Sequence, residues 1–169
     1  MKNILIFLNV ILLFLIFGCK GDDDQNQVDT KEYTIRTDSQ IKIPSQNSDS
    51  FIATIESGNK LVFEYTFDSP SDPQIADSGF SEEIIFEIES DMEEFSLNNE
   101  SLEDINAFYR ATCFCSNIQS VRITEGTISG KKLNATSWEI QIDVKINLDI
   151  TNIDSTLIER NISNIFMQN

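Results

Sequence analysis

Apolar and polar residues alternate along most of this chain. From Trp138 to Ile150 the apolar positions are Trp138, Ile140, Ile142, Val144, Ile146, Leu148 and Ile150, with polar residues between them. Seven alternations predict one long strand, buried on a single face, in an antiparallel sheet. "EEIIFEIES" repeats the pattern, with Ile84, Phe86 and Ile88 inward and Glu83, Glu87 and Glu89 outward. Residues 51–67 hold two more runs: Phe51, Ala53 and Ile55, then Leu61, Phe63, Tyr65 and Phe67. A three-residue loop, Ser57-Gly58-Asn59, would make those faces agree and set Glu56 opposite Lys60. The expectation is a hairpin.

Residues 118–130 read as the partner of the long strand. Val121 and Ile123 share a face but Ile128 is out of phase with them, so Gly126 is expected at a bulge, and "KKLNATS" joins the two strands. One α-helix is expected in mid-chain. Ser101 can cap it, Glu103 and Asp104 suit its positive end, and Leu102, Ile105, Phe108 and Tyr109 form one stripe ending near Arg110. Shorter strands are expected around 33–36, 41–44, 94–97 and 156–167. Together these predict a mainly β fold, an antiparallel β-sandwich or a partly open β-barrel, with one mid-chain helix.

The N-terminus follows a different pattern. One basic residue, Lys2, precedes an apolar run from Ile4 to Gly18 broken only by Asn9. Fifteen helical residues span roughly 22 Å, short of the ~30 Å core of a bilayer, as in a secretory signal. Ile16-Phe17-Gly18-Cys19 resembles a bacterial lipobox, with the bulky Phe17 as its one departure. That resemblance implies cleavage before Cys19 and acylation of its sulfur and nitrogen, a multi-chain anchor such as palmitate-type acyl groups provide. Lys20, Asp22, Asp23 and Asp24 resemble the acidic export signal of Bacteroidota surface lipoproteins. This implies a location on the outer membrane facing outward; retention facing the periplasm is the alternative. Residues 1–18 are then a signal peptide, 19–32 a polar tether, and 33–169 one β-rich domain.

Charge narrows the partners. The chain has 12 basic and 28 acidic residues, a formal net charge of −16, and between Leu61 and Tyr109 it has 14 acids and no Lys or Arg. Binding a polyanion needs clustered cations, so nucleic acid is not expected as a partner. The partners expected are the membrane, through the lipid anchor, and an envelope protein, glycan or peptide.

The chain contains no histidine. This removes the usual general base, the usual zinc ligand and every Ser-His or Cys-His pair. An enzyme would have to work with carboxylates, as glycosidases do, and none is expected here. Cys113 and Cys115 are a disulfide candidate in an exported chain; in a regular strand their Cα atoms would lie about 6.8 Å apart, the outer limit for a bridge. The turn-rich stretch "FDSPSDPQIADSGFSEE" carries Asp68, Asp72, Asp77, Glu82 and Glu83. Of these, Asp68, Asp72 and Asp77 are candidate oxygen ligands for calcium; no other cofactor is expected. Asp154-Ser155-Thr156 resembles the short O-glycosylation signal of exported Bacteroidota proteins, which implies modification at Ser155. Two functions remain: a non-catalytic binding or interaction module displayed on the surface, and a lipocalin-like carrier of an apolar molecule.

Overall fold

A computed structural model describes residues 28–43, 51–70, 78–113, 120–149 and 155–169. The chain forms β1 (Thr30–Lys42), β2 (Thr54–Ser57), β3 (Lys60–Ser69), β4 (Phe80–Glu89), β5 (Glu94–Asn98), β6 (Phe108–Cys113), β7 (Ser120–Arg122), β8 (Glu125–Asn134), β9 (Ser137–Asp149) and β10 (Ser155–Gln168). All ten lie in one sheet of order β5-β8-β9-β10-β1-β3-β4-β6-β7, with β2 also paired to β1. Every pairing is antiparallel except β1–β10, which is parallel. The sheet curls into a half-barrel. Phe95 of β5 shows the curl: its ring lies 6.4 Å from Phe63 of β3 and 6.0 Å from Phe86 of β4, strands far from β5 in the sheet order.

The expected alternation sorts the faces. Trp138, Ile140, Ile142, Val144 and Ile146 of β9 point inward, as do Ile84, Phe86 and Ile88 of β4, with Phe63, Tyr65, Tyr109 and Phe166. Phe63 stacks on Phe86 at 4.9 Å and meets Trp138 edge-on at 5.5 Å. Each such buried ring contributes roughly 1.5–3 kcal/mol by leaving water. A second, smaller cluster of Ile41, Ala53, Val62, Ile85 and Phe108 lies on the outer face. Here the sheet is buried on both sides, because residues 51–53 lie over it: Ser120 N–H donates to the Phe51 carbonyl and Ala53 N–H to Ser120 Oγ, both at 2.9 Å.

Three expectations are corrected. The hairpin over 51–67 does not form. β2 and β3 both run antiparallel to β1, with Ile41 opposite Ile55 and Ile35 opposite Phe63. The chain therefore continues past Gly58 instead of turning back. β1 carries an irregularity at the same level, between Arg36 and Ser39, where Asp38 has φ +49° and its carbonyl accepts from Gly58 N–H at 2.9 Å. These paired kinks swap the faces, so Ile35 and Phe63 point inward while Ile41 and Ile55 belong to the outer cluster.

Residues 118–130 are likewise two strands. β7 pairs with β6, β8 pairs with β9 and β5, and the step between them carries the chain across the open side of the half-barrel.

The mid-chain α-helix is absent; among the described residues only a 3-10 turn, Asn99–Glu103, is helical. Ser101 Oγ bonds back to the carbonyl and N–H of Asn98 instead of starting a longer helix. Asn106, at φ +47°, then breaks any helical run, and Phe108 and Tyr109 enter β6. Adjacent aromatics suit a strand buried on both faces: Phe108 joins the outer cluster and Tyr109 the interior.

Candidate functional site

The parallel β1–β10 pairing places the start of β10 at the same end of the half-barrel as the start of β1. Thr30 of β1 pairs with Asp68 of β3, Asp68 with Ser81 of β4, and Phe80 of β4 with Cys113 of β6. That end gathers the starts of β1, β4, β7 and β10 and the ends of β3, β6 and β9, and with them Asp68, Cys113 and Ser155 of the residues expected from sequence.

Its interior holds a buried charge. Glu82 shares its face with Ile84, Phe86 and Ile88 and is 5% exposed. Arg160 of β10 meets it: Nε donates to Oε1 and Oε2 at 2.9 and 2.8 Å, and Nη2 donates to Oε2 at 2.5 Å. Two tyrosine hydroxyls complete the shell, Tyr109 donating to Oε2 at 3.0 Å and Tyr65 to Oε1 at 3.4 Å. A carboxylate engaged by a guanidinium fork and two phenols is held in place. Burial, then the Glu82 charge, pushes the Tyr65 phenol up to about 12, and the same causes raise Tyr109 further. Both hydroxyls are therefore donors at neutral pH. The bond to Glu82 raises Arg160 as well. Beside this cluster the ammonium of Lys31 lies 5.9 Å from the centre of the Phe67 ring, and Phe80 lies 6.1 Å from Phe67. The cluster clasps β4 to β10, with Lys31 and the Phe67 and Phe80 rings beside it.

No family model, curated protein or solved structure matches this chain.

Two further polar features lie on the outside. Glu87, expected to face outward, does so but is only 3% exposed. It accepts from Ile41 N–H at 2.6 Å, Asn106 Nδ2 at 2.7 Å and Lys60 Nζ at 3.0 Å, pinning the kink of β1 to β3 and to the turn before β6. A row of charges crosses four strands: Arg36 binds Glu64 at 2.6 Å, Glu64 hydrogen-bonds Glu83, and Glu83 binds Arg110 at 2.6 Å. Burial raises the Glu83 carboxyl against the pull of Arg110, and Glu64 raises it further. Six acids of the cation-free stretch, Glu64, Glu82, Glu83, Glu87, Glu89 and Glu93, thus find cations from outside it: Arg36, Arg160, Arg110, Lys60 and Lys132.

Asp68 lies in a depression of about 190 Å³ lined also by Thr66, Ser81, Glu83, Arg110 and Thr112. Asp72 and Asp77 fall outside the described residues. Among the described residues no three acidic or cysteine side chains converge as a metal site. Cys113 ends β6 opposite Phe80 and Ser155 begins β10 opposite Asp149; their side chains, with all of Cys115, Cys19, Lys20, Asp22, Asp23 and Asp24, lie outside what is described. A larger depression, about 490 Å³, sits on the outer face of β5, β8 and β9 and is lined by Glu94, Ser96, Ser129, Lys131, Glu139 and Gln141, with Phe95 and Gly130. Among the described residues no helix is long and apolar enough to cross a membrane.

Sequence reasoning placed Glu82 in a loop and did not single out Arg160. The signal was present. Glu82 is in phase with Ile84, and Arg160 with Ile158 and Ile162, so alternation alone puts both on the inner face.

Proposed function

We propose that this chain is a cell-envelope lipoprotein anchored through acylated Cys19, displayed on the outer face of the outer membrane. Its half-barrel acts as a non-catalytic module that binds a glycan, peptide or partner protein. The lipobox-like Ile16–Cys19 and the acids at 22–24 support the anchor and its direction. β1 begins at Thr30, close behind the expected tether.

The observation that carries the module over the carrier is the filled interior. Trp138, Tyr109, Phe63, Phe86, Phe108 and Phe166 are each about 2% exposed or less, and the inward-facing rings among them touch across the half-barrel. A carrier needs that volume for its cargo. The polar depression on β5, β8 and β9 offers hydroxyl, amide and carboxylate groups of the kind that recognise a sugar.

Metabolic labelling with palmitate tests the anchor. Label should appear in the native chain and vanish in Cys19→Ser, and replacing Asp22, Asp23 and Asp24 by Ala should protect the domain from protease added to intact cells. Label retained in Cys19→Ser would end the reading. For the module, a fluorescent fatty acid should show no saturable uptake; tight uptake would favour the carrier.

A further inference from the structure

The depression of about 490 Å³ on β5, β8 and β9 is framed by two rows of side chains that cross the three strands in register. In one row Glu94 pairs with Lys131 and Lys131 with Glu139; in the next Ser96 pairs with Ser129 and Ser129 with Gln141. Neighbouring strands lie about 4.8 Å apart and alternate residues about 6.8 Å apart, so the six side chains frame a patch about 10 Å by 7 Å. The two serines are short and the other four side chains long, which gives the patch its hollow. Glu94, Ser96, Lys131, Glu139 and Gln141 are exposed and Ser129 partly so.

The charged row is uncommitted in a chain that has few cations to spare, 12 against 28 acids. Among the described residues seven basic side chains bind an acid and two lie over an aromatic ring. Lys131 does neither, although Glu94 and Glu139 stand on either side of it. One residue further on, Lys132 closes on Glu93 at 2.9 Å between the same two segments of chain. A lysine–glutamate pair is thus within reach at this place, and Lys131 is left open beside one. The hydroxyls of Ser96 and Ser129 and the amide of Gln141 are likewise without a partner among the described residues.

The order of charges across the row, negative, positive, negative, selects the ligand. An anion drawn to Lys131 meets a carboxylate on both sides, and a cation drawn to either glutamate meets the ammonium. A neutral polyol satisfies all three, because each hydroxyl both donates and accepts. Its O–H groups donate to the carboxylates and its oxygens accept from the ammonium, in charge-assisted bonds. Ring stacking is not available to such a ligand here. The one ring lining the depression, Phe95, is turned onto Phe63, Phe86 and Trp138.

We infer that this depression is the ligand site of the module and takes a neutral, polyhydroxylated glycan. Hydroxyls of the sugar donate to Glu94 and Glu139, an oxygen between them accepts from Lys131, and Ser96, Ser129 and Gln141 bind the hydroxyls that follow. The site is open to solvent and read by hydrogen bonds alone, so it suits a short stretch within a longer polymer. The inference rests on the reading of the half-barrel as a non-catalytic binding module and adds the place and class of its ligand.

Native gels cast with a polysaccharide test it, using the full chain released from envelopes in mild detergent. Dextran, mannan, laminarin and arabinoxylan serve as neutral polymers and alginate as the polyanion. At least one neutral polymer should retard the chain, and alginate should not. Lys131→Gln and Glu139→Gln should each raise the polymer concentration that gives half-retardation about tenfold, as the loss of one bond to a charged group does. Glu159→Gln, on β10 outside the depression, should leave it unchanged, and circular dichroism checks that all three variants keep their β content. Retardation that survives both Lys131→Gln and Glu139→Gln would overturn this site. Retardation in alginate that Lys131→Gln abolishes would overturn the neutral class. No retardation in any neutral gel would overturn the inference as a whole. The module reading, which also admits a peptide or protein partner, is judged separately by the fatty-acid measurement.

Discussion

Glu82 and Arg160 stand 78 positions apart in the chain and are joined by three hydrogen bonds of 2.5–2.9 Å inside the half-barrel. Their bond fixes β10 against β4 across the interior, beyond the short β1–β10 pairing of Thr34 and Ile35 with Met167 and Gln168. Removing one partner leaves the other charge buried and unpaired. A fully buried pair broken this way costs about 3–5 kcal/mol; Arg160 keeps 28% side-chain exposure, so Glu82→Ala or Arg160→Ala should cost about 3 kcal/mol. Replacing both by apolar residues, Glu82→Leu with Arg160→Met, should cost less than either single change. Urea denaturation of the three variants measures it, and additive losses would contradict the coupling.

The tyrosines around this pair set an alkaline limit. Tyr65 is raised to about 12 in the folded chain against an ordinary value of 10, and Tyr109 is raised in the same direction. Between those values the unfolded phenol has lost its proton and the folded one has kept it, so the native state binds more protons. Stability is therefore full below about pH 10 and falls as pH rises toward 12. Tyr65→Phe and Tyr109→Phe should each flatten this fall while lowering stability at pH 7 by about 1 kcal/mol for the lost hydrogen bond. Denaturation midpoints at pH 7, 10 and 11 would show the change in slope.

On the outer face the Glu64–Glu83 contact makes the opposite end of the pH scale informative. Glu83 is raised, chiefly by burial and then by Glu64 against Arg110. The folded chain holds that proton to higher pH than the unfolded one, so this group lowers stability as pH rises through the interval between the two values. Glu64→Gln should move the Glu83 midpoint down, and Arg110→Leu should move it up. Carboxyl carbon NMR reads both directly. The loss of the Arg36 pair in Glu64→Gln should itself cost little, because Arg36 is half exposed.

Legibility in the sequence followed distance along the chain. Alternation identified β4, β9 and the inward side of β3 residue by residue, because each strand carries its own period. Which strand sits beside which is not a local property. The segment at Gly58 read as a turn, yet its geometry is set by Asp38 in β1, whose matching kink leaves no mark in the local pattern. Leu102, Ile105, Phe108 and Tyr109 read as one helical stripe because a strand buried on both faces also needs consecutive apolar residues. The site divides in the same way. The phases of Glu82 and Arg160 were visible; that they meet was not, since 78 residues and the curl of the sheet lie between them. The deep burial of Glu87 depends on the outer cluster and on Asn106, which belong to other segments.

Gly126 and Gly130 separate two kinds of crowding on the same strand. At Gly126 the backbone has φ +117°, and a Cβ would lie 2.2 Å from the Asp143 carbonyl oxygen and 2.5 Å from Val144 Cα. Those atoms belong to the backbone of β9, which is paired on both sides and cannot withdraw without breaking register. At Gly130 a Cβ would meet Ile140 Cδ1 and Phe95 Cε1, each at 2.5 Å. These are ends of side chains, and Phe95 sits on the edge strand β5 and can swing outward. Gly130→Ala should therefore cost about 1–3 kcal/mol, as overpacking of a core does. Gly126→Ala combines strained φ with a backbone collision and should cost more, at least 3–4 kcal/mol. Thermal denaturation of the two variants should rank Gly126→Ala below Gly130→Ala. The reverse order would mean that the β8–β9 register at Gly126 is not as described.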